Sequence, residues 1–303
     1  MLNKIILVIF GVSLAVVFYP RYILDNNSFR PAVLGINTEQ SKNNKQLAPA
    51  PEMALNLAPP LLTVKAALAY DLNSGSILYS RNLDEKLPIA SLTKLITALV
   101  AIKFSNLDSV VLVKKSDLQV VGASSGLVEG EKITVKDLLQ AMLISSSNDA
   151  TLALANYIGG SEEKFVAMMN QEVKNLGLID THFSNPVGWD IDENFSNALD
   201  LAKIVEEFVK NPILSEIVKT KEIEIYSQDK KYVHKLTTTN RLLLEDLSVV
   251  GIKTGFTTKA LGNLIIRDQK NQQDIITIVL GSENREEDTT KLLEWLFKVY
   301  KWS

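Results

Sequence analysis

Segments with strand character lie at the two ends of the folded part of this chain, and segments with helical character lie between them. Short runs of β-branched and aromatic residues bounded by turn residues are typical of strands, whereas apolar residues spaced three and four apart predict helices. A sheet must bury a face against another layer. This order therefore predicts an α+β fold in which the first hairpin meets the last strands in a mixed sheet, covered by helices.

The predicted elements follow from these patterns and from the residues between them. The predicted strands are Lys65–Leu72, Ser76–Arg81, Glu222–Tyr226, Ser248–Lys253, Gly262–Ile266 and Ile275–Leu280. The predicted helices are Ser91–Phe104, Val135–Ile144, Asp149–Ile158, Glu162–Leu176, Asp200–Lys210 and Asp288–Tyr300. Asn73-Ser74-Gly75 predicts a hairpin turn between the first two strands.

The first 61 residues are expected to lie outside this folded unit. An uncharged apolar run from Ile5 to Tyr19 predicts an export signal or a membrane anchor for residues 1–24. Aromatic and basic residues follow the run, which favours an uncleaved anchor over a cleaved signal. Residues 25–61 are rich in Asn, Gln, Ser, Ala and Pro and predict a disordered tether. The folded domain is predicted to cover residues 62–303.

Composition excludes several kinds of chemistry. The net charge of −3 gives no support for nucleic-acid binding, and the absence of cysteine excludes thiolate nucleophiles and Cys-ligated metals. The two histidines, His182 and His234, match no metal-binding motif, so a histidine-rich metal site is not expected. Any catalysis is therefore expected to use Ser, Lys, Asp or Glu.

A serine followed three residues later by lysine on a helix places both side chains on one face, where a neutral lysine can accept the hydroxyl proton. Ser-x-x-Lys begins at Ser91, Ser161 and Ser227. Ser-x-Asn begins at Ser41, Ser146 and Ser282, whereas Lys-Thr-Gly occurs once, at Lys253-Thr254-Gly255. Penicillin-recognising serine enzymes carry these motifs in the order S-x-x-K, S-x-N, K-T-G. Only Ser91/Lys94, Ser146/Asn148 and Lys253-Thr254-Gly255 satisfy that order.

The predicted structural contexts suit these roles. Ser91 begins a helix, whose free backbone N–H groups favour a developing oxyanion. Ser146 and Asn148 lie on a loop between two predicted helices, and Lys253-Thr254-Gly255 ends a Val/Ile-rich strand. A glycine at that strand end allows a substrate backbone to approach closely.

From about Ala66 onward the chain resembles the serine-type D-Ala-D-Ala carboxypeptidases, which are low-molecular-weight penicillin-binding proteins of peptidase family S11. The resemblance includes AYDLNSGSILYSRNLDEKLPIASLTKLITALVA, GEKITVKDLLQAMLISSSNDATLALANYIGGS, MNQEVKNLGLIDTHFSNPVGW and GIKTGFTTKALGNL. It implies a penicillin-binding-protein/β-lactamase-like fold, with an antiparallel sheet of about five strands flanked by an α-helical cluster.

By position, the resemblance also implies a role for each motif residue. Ser91 would be the acylated nucleophile, Lys94 its general base and Ser146 a proton relay to the leaving amine. The implied substrate contacts are Asn148 to an amide, and Lys253, Thr254 and Gly255 at the terminal carboxylate. The backbone N–H groups of Ser91 and Phe256 would form the oxyanion hole.

The implied activity is trimming of peptidoglycan stem peptides that end in D-Ala-D-Ala, without a metal or an organic cofactor. β-Lactam antibiotics are the implied covalent inhibitors. The implied location is the outer face of the bacterial cytoplasmic membrane, or outside the cell if a signal is cleaved. Three alternatives stay open: a D,D-endopeptidase, a β-lactamase and a non-catalytic wall-binding protein. A β-lactamase of class A places a Glu between the second and third motifs, and no Glu occurs from Val173 to Ile191.

Overall fold

The computed structural model describes residues 47–190, 193–271 and 273–302. The predicted anchor, residues 1–24, lies outside the described residues, as does most of the predicted tether. In the part of the chain that is described, no helix has the length and apolar character needed to cross a bilayer.

Strands from both ends of the described chain form the main sheet, and the remaining strands pair outside it. The strands are β1 (Glu52–Met53), β2 (Ala66–Asp71), β3 (Ile77–Arg81), β4 (Val110–Leu112), β5 (Lys132–Thr134), β6 (Glu222–Tyr226), β7 (Val233–Thr237), β8 (Val249–Thr257), β9 (Leu261–Lys270), β10 (Gln273–Ser282) and β11 (Tyr300–Lys301). The main sheet has five strands in the order β3-β2-β10-β9-β8, and every neighbouring pair is antiparallel. The pairing of the first hairpin with the last strands is confirmed, but the sheet is antiparallel throughout and not mixed.

Most helices lie in the sequence between the two groups of strands, and the last one follows β10. They are α1 (Lys94–Phe104), α2 (Val135–Ile144), α3 (Asn148–Gly159), α4 (Glu162–Asn175), α5 (Ala198–Lys210), α6 (Pro212–Lys219), α7 (Arg241–Glu245) and α8 (Arg285–Val299). The helix predicted from Ser91 starts later, because Ala90–Thr93 forms a 3-10 turn. Asn211 caps α6 by accepting the N–H groups of Ile213 and Leu214.

The sheet separates two apolar cores. On one face, sheet residues such as Leu68 and Ile265 pack with helices that include α1, α2 and α5. On the other face, Ala69 and Leu264 pack with α8, which follows the last long strand. β8 is an edge strand of this sheet, so one of its sides is available to the helical layer and to a ligand.

The folded contacts begin before the predicted boundary at Leu62. Glu52–Met53 pairs antiparallel with Tyr300–Lys301, and the Trp295 indole N–H donates to the Leu57 carbonyl. The end of the segment predicted as tether therefore belongs to the folded unit. Its Pro-rich composition without helical or strand periodicity concealed this, because the segment is held by backbone pairing of two residues with β11 and by the packing of Met53 against the core.

A buried ion pair ties β7 to the residue before β5. His234 Nε2 lies 2.7 Å from Glu131 Oε1, and both side chains are almost fully enclosed. The hydrogen bond from Glu131 outweighs burial and raises the pKa of His234. Because the folded state holds this proton more tightly, the stabilisation is complete below the unfolded-state pKa of about 6.5 and is lost as pH rises through the folded-state pKa.

We expect Glu131→Gln to lower the free energy of unfolding by about 1–3 kcal/mol near pH 6 and by less near pH 8. Denaturant titrations of both proteins at the two pH values measure the difference. Glu129→Gln, at an exposed site two residues away, is the control and should change stability little at either pH. A Glu131→Gln loss that is as large at pH 8 as at pH 6 would contradict the assignment.

Candidate active site

Ser91 lies in the 3-10 turn that leads directly into α1. Ala90, immediately before it, has a φ of 49°, a left-handed conformation that a non-glycine residue adopts at some cost. Lys94, the first residue of α1, lies three positions after Ser91, so both side chains leave the same side of the turn. Their Nζ and Oγ atoms are 3.0 Å apart. The structure therefore brings the first motif together as the sequence predicted.

The Lys94 side chain is fully buried and touches two oxygen atoms besides Ser91. Nζ donates to Asn148 Oδ1 and to the Val187 carbonyl, each at 2.8 Å. Burial, and then the charge of Lys253, hold the pKa of Lys94 well below its usual value. The physical consequence is a lysine whose neutral form is favoured in the folded protein.

The neutral form of Lys94 has a defined orientation. A neutral amine has two N–H donors and one lone pair, and the Asn148 and Val187 oxygens can only accept. When both N–H groups point to those oxygens, the lone pair is left for the Ser91 hydroxyl, which can donate. This is the geometry of a general base beside its nucleophile.

Ser146 and Lys253 form a second pair next to the first. Ser146 lies in the middle of the turn between α2 and α3 with a φ of 61°, and Lys253 Nζ donates to its Oγ at 2.9 Å. Burial, followed by the charge of Arg285, lowers the pKa of Lys253 to about 7. Asn148, predicted on a loop, is the first residue of α3. The second and third motifs are thus joined through Ser146 and Lys253.

Strand β8 brings the third motif against the Ser91 turn. A Cβ added to Gly255 would come within 3.1 Å of Ser91 N and 2.9 Å of the Ile89 carbonyl, so only glycine permits this approach. Arg285 Nη1 donates to the Gly255 carbonyl at 2.9 Å, and Thr254 Oγ1 lies 2.6 Å from Thr239 Oγ1. Phe256 follows on β8 with a largely exposed side chain.

The structure separates the other Ser-x-x-Lys motifs from this site. Ser161 caps α4 by accepting the Lys164 N–H, and Ser227 donates to Asp229 in the β6–β7 turn. His234 Nε2 pairs with Glu131, and His182 Nδ1 lies 2.6 Å from the Glu193 carbonyl. Neither histidine contacts Ser91 or Lys94 in any of these interactions.

Sequence reasoning missed the groups that hold the motif side chains in place. They are the Val187 carbonyl, the Asn148 amide oxygen as a partner of Lys94, Thr239 and Arg285. The run Asn185-Pro186-Val187-Gly188-Trp189 carried the only local signal, because Asn, Pro and Gly together predict a tight turn. A backbone carbonyl acceptor leaves no mark in the sequence, so its contact with Lys94 required the tertiary structure.

Comparisons with known proteins agree with this geometry. The family model for D-alanyl-D-alanine carboxypeptidase matches residues 53–284. D-alanyl-D-alanine carboxypeptidase DacF of Bacillus subtilis is 34% identical over 246 residues, which cover 78% of this chain and 63% of the relative. A D-alanyl-D-alanine endopeptidase of Pseudomonas aeruginosa is 33% identical over 255 residues, which cover 82% of each chain.

The fold is shared with a solved enzyme. The crystal structure of the Streptomyces K15 DD-transpeptidase superposes with a TM-score of 0.74 and 28% identity, covering 80% of this chain and all of that one. The predicted penicillin-binding-protein/β-lactamase-like fold is confirmed. This chain spans slightly less than two thirds of the length of the curated carboxypeptidases that it matches, such as 63% of the Bacillus subtilis protein.

Proposed function

The chain belongs to the D-alanyl-D-alanine carboxypeptidase family, peptidase family S11, and from that membership we propose that it is a serine-type D-Ala-D-Ala carboxypeptidase. Its substrates would be peptidoglycan stem peptides that end in D-Ala-D-Ala. One observation carries the proposal: the buried Lys94 Nζ lies 3.0 Å from Ser91 Oγ with its other two contacts occupied by acceptors.

In the acylation step, Ser91 Oγ attacks the carbonyl carbon of the penultimate D-alanine. The hydroxyl proton passes to the neutral Lys94 Nζ as the Oγ–C bond forms. The backbone N–H groups of Ser91 and Phe256 are proposed to bind the resulting oxyanion. Gly255 supports this assignment, since its missing Cβ allows β8 to approach Ser91 N.

Collapse of the tetrahedral intermediate breaks the C–N bond and requires a proton on the leaving amine. Ser146 is placed to relay it, because Lys253 donates to Ser146 Oγ and leaves the Ser146 hydroxyl proton free to point elsewhere. Ser146 gives its hydroxyl proton to the D-alanine amine and is reprotonated by Lys94, which returns to its neutral form. Water then attacks the ester carbon and gives a proton to Lys94. The ester C–O bond breaks, Lys94 returns that proton to Ser91 Oγ, and the shortened peptide is released.

Recognition of the terminal carboxylate is assigned to Lys253 and Thr254, with Gly255 beside them. A carboxylate next to Lys253 favours the charged ammonium and opposes the burial that lowers its pKa. Asn148 is proposed to contact the substrate amide in addition to holding Lys94. β-Lactams would be attacked by Ser91 as analogues of this substrate and retained as covalent esters.

This chemistry places the enzyme outside the cytoplasm, where peptidoglycan lies. We propose that residues 1–24 hold it at the outer face of the cytoplasmic membrane, or direct its export if they are cleaved. The apolar run from Ile5 to Tyr19 with its aromatic and basic flank supports the first of these.

Release of D-alanine separates the proposed activity from its alternatives. The protein is expected to release D-alanine from a D-Ala-D-Ala pentapeptide many times per enzyme molecule, while it opens a chromogenic cephalosporin only about once per molecule. Free D-alanine and absorbance are the two measurements. Repeated cephalosporin opening without D-alanine release would identify a β-lactamase, and neither reaction would identify a non-catalytic wall-binding protein.

A D,D-endopeptidase is the second candidate. The Pseudomonas aeruginosa endopeptidase supports it, because the alignment covers 82% of that protein's length but only 63% of the Bacillus subtilis carboxypeptidase. Incubation with a D-Ala-cross-linked dimer of stem peptides tests it. Conversion of the dimer to monomers at a rate above that of D-alanine release would replace the carboxypeptidase assignment by this one.

A further inference from the structure

The turn that supplies the Val187 carbonyl is built around one buried amide. Asn185 Oδ1 accepts the backbone N–H groups of Val187, Gly188 and Trp189 at 3.2, 2.7 and 3.1 Å. The residue is 1% exposed. These three contacts fix the backbone from Asn185 to Trp189 and therefore fix where the Val187 carbonyl points.

The same turn is clamped to the nucleophile's own segment at two further places. Thr97 Oγ1, one helical turn after Lys94, donates to the Pro186 carbonyl at 2.7 Å. Gly188 has a φ of 94°, and a Cβ on it would lie 1.9 Å from the Ala90 carbonyl. The turn thus packs directly on the backbone next to Ser91 and on α1.

Asn185 uses only one end of its amide. Its Nδ2 atom is buried and has no hydrogen-bond partner among the described residues. A buried amide donor without a partner lowers stability, so a residue kept only for stability would not be expected to carry one. What the side chain contributes is the oxygen that accepts the three N–H groups.

We propose that Asn185 is a positioning residue for the reaction: through the turn it builds, it holds the Val187 carbonyl so that the Lys94 lone pair points at the Ser91 hydroxyl. This inference rests on the proposed role of Lys94 as general base and extends it by one residue. Without the Val187 acceptor, the second N–H of neutral Lys94 has no fixed direction. The lone pair then turns away from Ser91 in part of the population.

Two substitutions separate positioning from a purely structural role. Asn185→Ala removes the three N–H contacts and is expected to slow covalent acylation by a penicillin about 10–100-fold, since a displacement of about 1 Å at a reacting group can cost that much. Asn185→Asp keeps an oxygen acceptor for all three N–H groups and loses only the unpartnered Nδ2. It adds a negative charge on the turn that contacts Lys94.

The second substitution has a signature in the pH profile. The groups that face Lys94 are Ser91 from its own turn, Asn148 from α3, the Val187 carbonyl and, as the nearby charge, Lys253 from β8. A carboxylate added to this set favours protonated Lys94 and raises its pKa. The acid limb of the acylation profile should therefore move to higher pH, by about one unit, with the wild-type rate approached at alkaline pH.

The test measures the acylation rate constant of a fluorescent penicillin from acid to alkaline pH, on the full chain. Asn211→Asp is the matched control, because Asn211 also accepts two backbone N–H groups but caps α6, away from the site, and its profile should equal that of the wild type. The limb position is set by folded molecules alone, so partial unfolding lowers the signal without moving the limb.

If the acid limb of the Asn185→Asp profile coincides with the limbs of the wild type and of Asn211→Asp, the proposal is overturned. An Asn185→Ala protein that is acylated at the wild-type rate would overturn it as well. If Asn185→Asp yields no folded protein, Thr97→Val decides: slower acylation supports the proposal and an unchanged rate overturns it. Wild-type protein that is not labelled at Ser91 would instead reject the proposed function. The two failures are therefore distinguishable.

Discussion

Replacing Ser91 with alanine is expected to abolish covalent labelling of the protein by a fluorescent penicillin. In the proposed mechanism the hydroxyl oxygen of Ser91 forms the ester, and no other hydroxyl contacts Lys94 in the described residues. Loss of a nucleophile leaves no alternative route to the same bond, so labelling should fall at least about 1,000-fold. Fluorescence of the protein band after denaturing electrophoresis measures the label, with D-alanine release as a second readout.

Ser161→Ala is the matched control for this experiment. Ser161 also begins a Ser-x-x-Lys sequence, but it serves as the N-cap of α4 and accepts the Lys164 N–H at 3.3 Å. Its replacement should cost about 1 kcal/mol of stability and leave labelling unchanged. Undiminished label on Ser91→Ala, or loss of label on a folded Ser161→Ala, would refute the choice of nucleophile.

Replacing Lys94 with methionine is expected to slow acylation by about 10³-fold while the protein remains folded. Methionine is close in length, suits a fully buried position and lacks the lone pair that accepts the Ser91 proton. Stopped-flow or gel-based labelling rates measure the loss. Thermal unfolding of the same sample establishes that the substituted protein is folded.

Lys164→Met provides the control, because Lys164 is the lysine of the surface motif on α4. Its labelling rate should equal that of the wild type. The general-base assignment fails if folded Lys94→Met is acylated at the wild-type rate. In that case the proton of Ser91 would have to leave by another group, for which Lys253 with its partner Ser146 is the candidate in the described site.

Much of the fold was predictable because local patterns and tertiary packing agree. The helix Val135–Ile144 was predicted with the bounds that the structure gives, since its apolar spacing and the Thr134 cap both specify the same segment. The five strands of the main sheet, β2, β3, β8, β9 and β10, were each located, although the last three are longer than predicted. Apolar strands buried on both faces carry a continuous signal that shows their centre more clearly than their ends.

The misses have identifiable physical causes. α6 was not predicted: α5 ends at Lys210 as expected, but Pro212 is then the first residue of a further helix, where a missing N–H costs nothing. β4 and β5 are three-residue strands that pair only with each other, too short for periodicity to show. β6 has the bounds predicted for it, whereas β7, its partner in a separate two-stranded sheet, was not predicted.

The sequence alone determined which residues could perform the chemistry. A chain without cysteine and with two histidines directed attention to serine and lysine, and motif order selected Ser91/Lys94, Ser146/Asn148 and Lys253-Thr254-Gly255. The environment that the proposed roles require comes from tertiary packing. Enclosure lowers the lysine pKa values, and the Asn148 and Val187 oxygens orient Lys94, because desolvation and hydrogen-bond direction depend on atoms brought together from α1, α3 and the turn at Asn185.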